Sequence, residues 1–528
     1  MIQPVLLNGA WQQARDPEGT FQAQAPTTGE SLPAYYPVSS AEEIEQAIQA
    51  GLHAVLELRS LPNSHEAIAQ FLEAFASIIE QRSEQLVEMA FQETGLAREP
   101  RLRMVELPRT TNQLRQAAQA ARNSSWCYPT IDTRNNIRSC YASLDGPVVV
   151  FGPDNFPFAF NSVAGGDFAA AIAAGNPVIG KANPGHPGTT QLLAEAALEA
   201  LEQGPLPRSM VQLLYRTSKT GGFRLVSHPA IGATAFTGSR SAGLRLKEAA
   251  DKAGKPIYLE MSSVNPVFLL PGALEERLPQ IADEFCSSCL SASGQFCTNP
   301  GIVVLMENEQ SQQFVHEAAT RFQATPAGVL LHSYSSAQLR EAIAVLTQHG
   351  AQLITGGNEI AGEQFRFENT LLWVSGDQFL EHPHALQTEA FGNVSLLIRA
   401  RDPEQILAIA ASLEGNLTGS IYSHTGGADD ALCDQLTKEI RPKVGRLLND
   451  KMPTGVAVSP AMMHGGPYPA SGHPGFTAVG IPASMVRFGL LQSYDNVRPH
   501  RLPAVLQNKN PSGTLWRLID GRWTWEDL

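Results

Sequence analysis

The sequence predicts an α/β protein with two parallel-sheet domains. Short β-rich segments alternate with helical segments from residue 147 onward, and a second alternation begins near 266 and continues to about 450. Strands that alternate with helices at this spacing form βαβ units with a parallel sheet. The chain of 528 residues is also longer than a single hydrophobic core supports. We therefore expect at least two α/β domains, with ligands at the carboxyl ends of the strands.

Helical patterns dominate the N-terminal section. They follow one another over 40–59, 64–80, 83–94 and 99–122. Ser40 and Glu43 have capping-box spacing at the start of the first pattern, which indicates a helix N-terminus. Pro108 lies inside the last pattern and is expected to kink or split that helix.

Strand patterns then alternate with helical ones. In the first set the strand segments are PVVVFG, PVIGK, VQLLY, IGATAFTG and IYLEM, with helices near 162–174, 187–203, 219–227 and 240–252. In the second set the strands begin near 266–270 and continue through GIVVLM, AQLITGG, NVSLLIR and TGSIYS. The Gly- and Pro-rich segment 464–475 predicts a long loop, and such loops are usually functional or disordered. The segment SMVRFGLLQSY after it returns to strand-like character.

The bulk composition argues against several classes of protein. A formal net charge of −13 disfavours a nucleic-acid partner, since phosphate binding needs a basic face. The apolar segments are too short to span a bilayer and no signal peptide is visible, so we expect a cytoplasmic protein without a membrane partner. The six cysteines show no disulfide spacing, and free thiols are expected.

Three polar residues end or follow predicted strands and are candidates for a site. Asn155, in PDNFPF, belongs to an ordinary turn or directs its amide into the crevice above the sheet. Lys181 is a solvated strand end or a donor to a ribose or phosphate. Glu260 ends an apolar strand, where burial raises a carboxyl pKa towards the range of a general base. The alternative is an ion-paired structural carboxylate.

Cys297 lies in SASGQFCTNPG, between an aromatic residue and turn-forming residues. A lone cysteine is more often a buried apolar residue than a nucleophile, so both interpretations stay open at this point. His464 or His473 of the long loop could act with it as in a cysteine hydrolase. Cys286 and Cys289 have C-x-x-C spacing but lack a second pair, so we expect no metal site.

The segment FTGSRSAG ends another predicted strand and opens a helix. Gly238 and Gly243 flank Ser239 there. Backbone N–H groups at a helix start bind phosphate well, although the spacing matches neither GxGxxG nor a Walker loop. The segment alone favours a phosphate site and a plain Gly-rich turn equally.

These motifs occur in one order: PDNFPF, a strand-end lysine, FTGSRSAG, LEMSSVNP, GQFCTNPG and TEAFGNV. This order resembles the aldehyde dehydrogenase superfamily and covers nearly the whole sequence. The EMSS variant further resembles its NADP-dependent branch, which contains α-ketoglutaric semialdehyde (2,5-dioxovalerate) dehydrogenases and a bacterial fatty aldehyde dehydrogenase. This resemblance favours a nucleophile over a buried apolar residue as the interpretation of Cys297.

The resemblance implies a role for each candidate residue. It implies Cys297 as the nucleophile, Glu260 as the base that activates water, and Asn155 as a donor to the oxyanion. The implied cofactor contacts are Lys181, Gly238, Ser239 and Gly243 around the ribose and pyrophosphate, with Glu389 and Phe391 at the nicotinamide riboside. The implied reaction is oxidation of an aldehyde to the carboxylate through a thiohemiacetal and a thioester on Cys297.

The resemblance also implies an aldehyde dehydrogenase-like subunit of three parts. A Rossmann-type cofactor domain takes 1–125 and 147–270, and an α/β catalytic domain takes 271–450. A small bridging β-sheet takes 126–146 and 480–528, and this sheet makes dimers. We expect a homodimer or tetramer.

The sequence also predicts NADP in preference to NAD, although NAD stays possible. NAD-preferring relatives often carry a glutamate three residues after the lysine, and here that position is Pro184. Arg216 and Lys219 follow the strand VQLLY and are expected to lie near enough to pair with a 2′-phosphate.

A short semialdehyde such as 2,5-dioxopentanoate is the expected substrate, on the branch resemblance alone. The loop 464–476, with Phe476, resembles the lining of the aldehyde entrance but has no arginine, so a substrate carboxylate needs a partner elsewhere. The alternatives are a medium- or long-chain fatty aldehyde, a coenzyme A-acylating reaction, the cofactor-free hydrolase and a non-catalytic binding protein. Glu260 favours water over a thiol as the final acceptor.

Overall fold

The computed structural model describes residues 2–360 and 365–528. In chain order the strands are β1 (Val5–Leu7), β2 (Ala10–Gln12), β3 (Gly19–Phe21), β4 (Tyr36–Ser39), β5 (Thr130–Asp132), β6 (Ile137–Ser143), β7 (Val148–Phe151), β8 (Val178–Lys181), β9 (Val211–Leu214), β10 (Arg216–Thr217), β11 (Ala233–Thr237), β12 (Ile257–Glu260), β13 (Val267–Leu269), β14 (Ile302–Met306), β15 (Gln352–Thr355), β16 (Thr370–Ser375), β17 (Val394–Ala400), β18 (Asn416–Tyr422), β19 (Val444–Asn449), β20 (Gly489–Asp495), β21 (Arg517–Ile519) and β22 (Arg522–Thr524).

The α-helices are α1 (Ala41–Ser60), α2 (Ser64–Gln81), α3 (Ser83–Thr94), α4 (Leu107–Asn123), α5 (Gly166–Ala173), α6 (Pro187–Glu202), α7 (Lys219–Ser227), α8 (Arg240–Lys252), α9 (Pro271–Leu290), α10 (Glu309–Ala324), α11 (Ser335–Gln348), α12 (Gly376–Glu381), α13 (Pro403–Ser412) and α14 (Asp430–Ile440). A π-helical segment, Arg98–Glu106, precedes α4. The predicted split at Pro108 is confirmed: proline lies in the first turn of α4, where its missing N–H costs no helical hydrogen bond.

The first seven-stranded sheet has the order β12-β11-β7-β8-β9-β1-β2. Its first five strands are the predicted parallel ones, and β7 is buried along its whole length because helices cover both faces. β1 and β2 extend the sheet as an antiparallel edge. Sequence reasoning missed them because each has only three residues and shows no period. A separate three-stranded sheet, β10-β4-β3, completes this part.

The second seven-stranded sheet has the order β15-β16-β17-β14-β13-β18-β19. All of its strands are parallel except the antiparallel edge strand β15. Two apolar clusters cover its faces, and α9 and α10 pack against each other in one of them. The second predicted alternation is therefore a second α/β layer.

A five-stranded sheet, β20-β6-β5-β21-β22, joins distant parts of the chain. β20 pairs with β6 antiparallel from Gly489 opposite Ser143 to Asp495 opposite Ile137. The strand-like character predicted for SMVRFGLLQSY is confirmed only from Gly489 onward, because Ala483–Phe488 forms a partly buried 3-10 helix.

Candidate active site

The carboxyl ends of four neighbouring strands of the first sheet meet at one edge. β8, β7, β11 and β12 lie side by side and run parallel. The residues that end or follow them are Lys181, Asn155, Gly238 and Glu260, all at the edge where such sheets bind ligands. The Gly238 N–H donates to the backbone oxygen of Glu260 at 3.1 Å, which joins the ends of β11 and β12.

The second sheet contributes residues from the opposite, amino ends of its strands. Cys297 lies before β14, and Glu389 lies before β17. Asn265, before β13, donates from Nδ2 to the backbone oxygens of Cys297 at 2.8 Å and Asn299 at 2.9 Å. These bonds fix the loop of Cys297 to the start of the neighbouring strand.

A tight chain reversal precedes Cys297. Ala292, Ser293 and Gly294 have φ values of 46°, 56° and 68°, in the left-handed region. A Cβ at Gly294 would lie 2.1 Å from the backbone oxygen of Gly392, so only glycine fits there. Gly294 is therefore required by the turn that positions the cysteine.

Cys297, His464 and Glu260 form a compact cluster between the two sheets. His464 Nε2 lies 3.4 Å from Cys297 Sγ and 2.9 Å from Glu260 Oε1. His464 and Glu260 are buried, whereas Cys297 is half-buried. Of the two histidines considered for the hydrolase, His464 contacts the cysteine, and His473 packs instead on the ring of Tyr258 at 5.2 Å.

Backbone hydrogen bonds hold the loop of His464 against β12. The Gly472 N–H donates to the Leu259 oxygen at 3.0 Å, and the Met261 N–H donates to the Ala470 oxygen at 2.8 Å. These bonds lie on either side of Glu260. The contact between the loop and β12 therefore positions both His464 and the Glu260 carboxylate. The predicted long loop over 464–475 is thus part of the site.

The environment of the cluster favours a protonated thiol before reaction. Burial, together with the Glu260 carboxylate, raises the pKa of Cys297 well above its usual value. Glu260 Oε2 is buried and has no hydrogen-bond partner in the described part of the chain, so it is available to a proton or a water. The three donor atoms lie within 4.8 Å of one another, which also suits a metal ion that the sequence did not predict.

Asn155 reaches from the end of β7 to the loop of Cys297. Its Nδ2 donates to the backbone oxygen of Gln295 at 2.9 Å, which leaves one amide hydrogen for another acceptor. The Cys297 N–H makes no hydrogen bond to residues 2–360 or 365–528. An oxygen next to Sγ could therefore accept from both groups.

Arg101 and Glu106 support Asn155 from the helical layer, and sequence reasoning missed both. Arg101 forms a buried ion pair with Glu106 and donates from Nη2 to the backbone oxygen of Asn155 at 2.9 Å. Glu106 Oε1 accepts from the N–H groups of Phe158 at 2.8 Å and Ala159 at 3.0 Å. The two charges hold the turn after β7 in place.

Aromatic rings surround the cysteine cluster. One apolar cluster contains Phe156, Phe160, Phe296 and Phe476. The Phe160 ring lies 5.7 Å from the His464 ring, and Phe296 immediately precedes Cys297. Arg109 of α4 lies with Cζ 5.0 Å from the Phe160 centroid. The residue predicted at the aldehyde entrance, Phe476, belongs to this aromatic group.

Lys181 and Arg216 form a pair of neighbouring cations. Burial lowers the pKa of Lys181 to about 8, and repulsion from Arg216 adds to the effect. Neither has an ion-pair partner among the described residues, and Pro184 supplies no carboxylate. Two unpaired cations fit a phosphate. Lys219 begins α7 and is exposed.

The start of α8 and the residues near Glu389 fit other parts of a dinucleotide. Ser239 caps α8, and its backbone oxygen accepts from the Gly243 N–H at 2.9 Å. Gly238 and Ser239 are exposed, so an anion can reach this helix N-terminus. Glu389 and Phe391 line a small cavity with Ser263, whose N–H donates to Glu389 at 3.3 Å. Burial raises the pKa of Glu389 to about 7.

Comparison with known proteins agrees with this geometry. The sequence model of the aldehyde dehydrogenase family matches residues 11–466. The chain belongs to the aldehyde dehydrogenase family. Aldehyde dehydrogenases are oxidoreductases that act on small-molecule aldehydes with NAD or NADP, and this protein is an enzyme of that class.

Its relatives within the family include semialdehyde enzymes. The chain is 38% identical over 96% of its length to alpha-ketoglutaric semialdehyde dehydrogenase 2 of Azospirillum brasilense, also covering 96% of that protein. It is 34% identical to the alpha-ketoglutaric semialdehyde dehydrogenase of Acinetobacter baylyi, covering 91% of each chain.

A solved aldehyde dehydrogenase shares the fold. The structure of NADP-dependent glyceraldehyde-3-phosphate dehydrogenase from Bacillus halodurans, complexed with NADP, superposes with a TM-score of 0.78 at 21% identity, covering 94% of this chain and 100% of that one. The predicted aldehyde dehydrogenase-like α/β fold is thus confirmed. No helix within 2–360 and 365–528 has the length and hydropathy to cross a membrane.

Proposed function

We propose that this aldehyde dehydrogenase oxidises a short semialdehyde, such as 2,5-dioxopentanoate, to the carboxylate with Cys297 as nucleophile, and that it uses NADP. The observation that carries the proposal is the Cys297–His464–Glu260 cluster next to the free amide hydrogen of Asn155. The substrate is supported by the names of the two relatives at 38% and 34% identity.

Attack by Cys297 starts the reaction. Its thiol proton passes to the His464–Glu260 pair, and Sγ forms a bond to the aldehyde carbon while the carbonyl electrons move to oxygen. The resulting oxyanion accepts hydrogen bonds from Asn155 Nδ2 and the Cys297 N–H. A nicotinamide cofactor, when bound, would supply the hydride acceptor for this adduct, and loss of the hydride would leave a thioester on Cys297.

Glu260 then completes the reaction. Its unpartnered Oε2 takes a proton from a water, and the water oxygen attacks the thioester carbon. Collapse of that adduct breaks the carbon–sulfur bond and releases the carboxylate, and the sulfur of Cys297 recovers a proton. His464 Nε2 faces both groups, so it orients the base and the nucleophile together.

NADP is proposed over NAD because the cofactor side carries cations without an acidic partner. Lys181 and Arg216 would bind the 2′-phosphate, with Lys219 near them, and Pro184 brings no charge to repel it. The N-terminus of α8, with Gly238, Ser239 and Gly243, would bind the pyrophosphate. Glu389 and Phe391 would contact the nicotinamide riboside.

We also propose a division of the chain into three functional parts. The first sheet and its helices, 1–125 and 147–270, bind the cofactor, and 271–450 carries the nucleophile. The five-stranded sheet from 126–146 and 480–528 forms an interface between copies of the chain. Leu491 of β20 is 58% exposed there, together with Leu490 and Trp523, which supports a partner surface.

A cofactor-free cysteine hydrolase is the second candidate, because His464 lies 3.4 Å from Cys297.

One experiment separates the dehydrogenase from the hydrolase. Protein mixed with 2,5-dioxopentanoate and NADP should produce reduced-nicotinamide absorbance and one equivalent of carboxylate. Ester cleavage without any cofactor turnover would support the hydrolase instead. The same assay with NAD and with C2–C14 aldehydes tests the remaining choices, and a kcat/KM ratio for NADP over NAD below one would contradict the cofactor proposal.

A further inference from the structure

Arg109 is a half-buried cation next to the catalytic cluster, and it has no ion-pair or hydrogen-bond partner among the described residues. It lies in the first turn of α4, and its Nε and Nη2 atoms are buried without a hydrogen-bond acceptor. No ion pair reaches it from any residue that the structure describes. Its Cζ atom lies over two aromatic rings, 5.0 Å from the centroid of Phe160 and 5.6 Å from that of Phe156.

Two other arginines near the site differ from Arg109 in having a carboxylate partner, and a third, Arg446, donates to the backbone oxygens of Gly455 and Pro453. Arg101 pairs with Glu106, and Arg487 pairs with Asp167. A buried charge without a partner destabilises a fold and is expected only where something else requires it. Burial lowers the pKa of Arg109 to about 10, so the side chain is still charged near neutral pH.

The Phe160 ring is near both Arg109 and His464 of the Cys297–His464–Glu260 cluster. Phe160 contacts Arg109 on one side and the His464 ring, at 5.7 Å, on the other. His464 in turn contacts Cys297 Sγ at 3.4 Å. The charges of Cys297 and Glu260 also act on the Arg109 guanidinium. A short molecule held at Cys297 could therefore extend along the Phe160 ring to Arg109.

We propose that Arg109 binds the carboxylate of a semialdehyde substrate and so selects it over uncharged aldehydes of equal length. This inference rests on the proposed aldehyde oxidation at Cys297. The two atoms without acceptors, Nε and Nη2, are adjacent on the guanidinium edge. Such a pair forms two parallel hydrogen bonds to one carboxylate. Arg109 thus supplies the cation that the loop 464–476 lacks.

The test compares two substrates of equal carbon count in Arg109→Met and Arg109→Lys. For 2,5-dioxopentanoate we expect Arg109→Met to lower kcat/KM about 100-fold or more, mainly through KM, since a buried charged contact is lost. For pentanal we expect a change within about threefold. Arg109→Lys keeps the charge but not the paired donors. Its kcat/KM for the semialdehyde should therefore lie between that of the unaltered protein and that of Arg109→Met.

A matched control lies on the same helix. Arg115 forms an exposed ion pair with Glu80, so Arg115→Met should leave the preference between the two substrates unchanged. Equal loss on both substrates in Arg109→Met would overturn the proposal while leaving aldehyde oxidation intact. If the unaltered protein oxidises pentanal but not 2,5-dioxopentanoate, the substrate proposal is wrong and the role of Arg109 with it. If it oxidises neither, the proposed function itself fails.

A second measurement begins with the unaltered protein and does not depend on turnover. In the unaltered protein, glutarate should slow alkylation of Cys297 by iodoacetamide, and pentan-1-ol at the same concentration should not. In Arg109→Lys the protection by glutarate should weaken at least several-fold. Equal protection by the diacid and the alcohol would contradict a carboxylate site at Arg109.

Discussion

The two seven-stranded sheets have the same number of strands and nearly the same parallel arrangement, but they use opposite edges. The first directs Asn155, Lys181 and Glu260 into the site from the carboxyl ends of its strands. The second brings Cys297 and Glu389 from the amino ends. The site is thus a junction between unlike edges, and only the first sheet follows the usual rule for ligand position.

The carboxyl edge of the second sheet is occupied by helix caps. Asn308 after β14, Ser375 at the end of β16 and Asp402 after β17 each accept from the backbone N–H of the third residue of the following helix. Their loops are short, so each polar side chain is used at once by its own helix. In the first sheet a long loop over 152–165 follows β7, and it frees Asn155 for the site. The length of the loop after β7 therefore leaves Asn155 free of a capping role.

The largest effect is expected at the amino edge of the second sheet. Cys297→Ser should lower aldehyde oxidation by about 10⁴-fold or more, since the weaker nucleophile cannot replace the thiolate. Steady-state production of reduced cofactor measures this. Cys433→Ser, a half-buried cysteine in α14, should keep full activity, and its loss would show that the assay reports stability instead of chemistry.

The variants Asn155→Ala and Asn449→Ala compare the carboxyl edges of the first and second sheets by their effects on kcat. We expect kcat to fall about 10²- to 10³-fold because one oxyanion donor is lost. Asn449 ends β19 on the second sheet and donates to the Ile421 backbone oxygen at 3.1 Å. Asn449→Ala should change kcat little. Similar losses in both variants would remove the functional distinction between the edges.

The pH dependence of cofactor binding tests Lys181. Its pKa is lowered to about 8, so its positive charge is present below that pH and is lost as the pH rises through it. KM for NADP should therefore rise about tenfold between pH 7 and pH 9.5, as one charged hydrogen bond is lost. In Lys181→Met, KM for NADP should be as high at pH 7 as at pH 9.5, because the variant has no charge to lose. A pH-dependent rise that persists in this variant would assign the effect to another group.

The smallest effect is expected at a cap of the second sheet. Asp402 accepts from the Gln405 N–H at 2.8 Å at the start of α13. Asp402→Ala should lower the free energy of unfolding by about 1 kcal/mol and leave kcat/KM unchanged. Denaturant unfolding and steady-state kinetics measure the two quantities. A clear loss of activity at unchanged stability would show that this edge also serves the reaction.

The sequence predicts the five parallel strands of the first sheet because their apolar segments carry a local pattern. It also names Cys297 and Glu260, which the fold brings together, and their catalytic roles stay predictions. Apolar segments such as β7 and β12 are long enough to recognise, and Glu260 is unusual at the end of one of them. Arg101, Glu106 and Arg109 were missed for a physical reason. They lie in a segment of charged residues that has the pattern of a solvated helix face, and only tertiary packing buries them.

The distance between Cys297, His464 and Glu260 could not be predicted either. The three residues are separated by up to 204 positions, and their approach depends on backbone bonds between β12 and the loop 464–475. Sequence reasoning named His464 and His473 as equal candidates because both lie in that loop. The choice between them follows from which one lies beside Glu260, since His473 packs on Tyr258 of the same strand, and no local pattern encodes it.

The five-stranded sheet has a consequence for synthesis of the protein. Thr133, beside β5, bonds to Asp520 across 387 positions, and β6 pairs with β20. While the ribosome makes both large domains, β6 lacks its neighbour and offers an open edge. Nascent chains of this enzyme should therefore be most prone to pair wrongly with one another between the translation of β6 and that of β20.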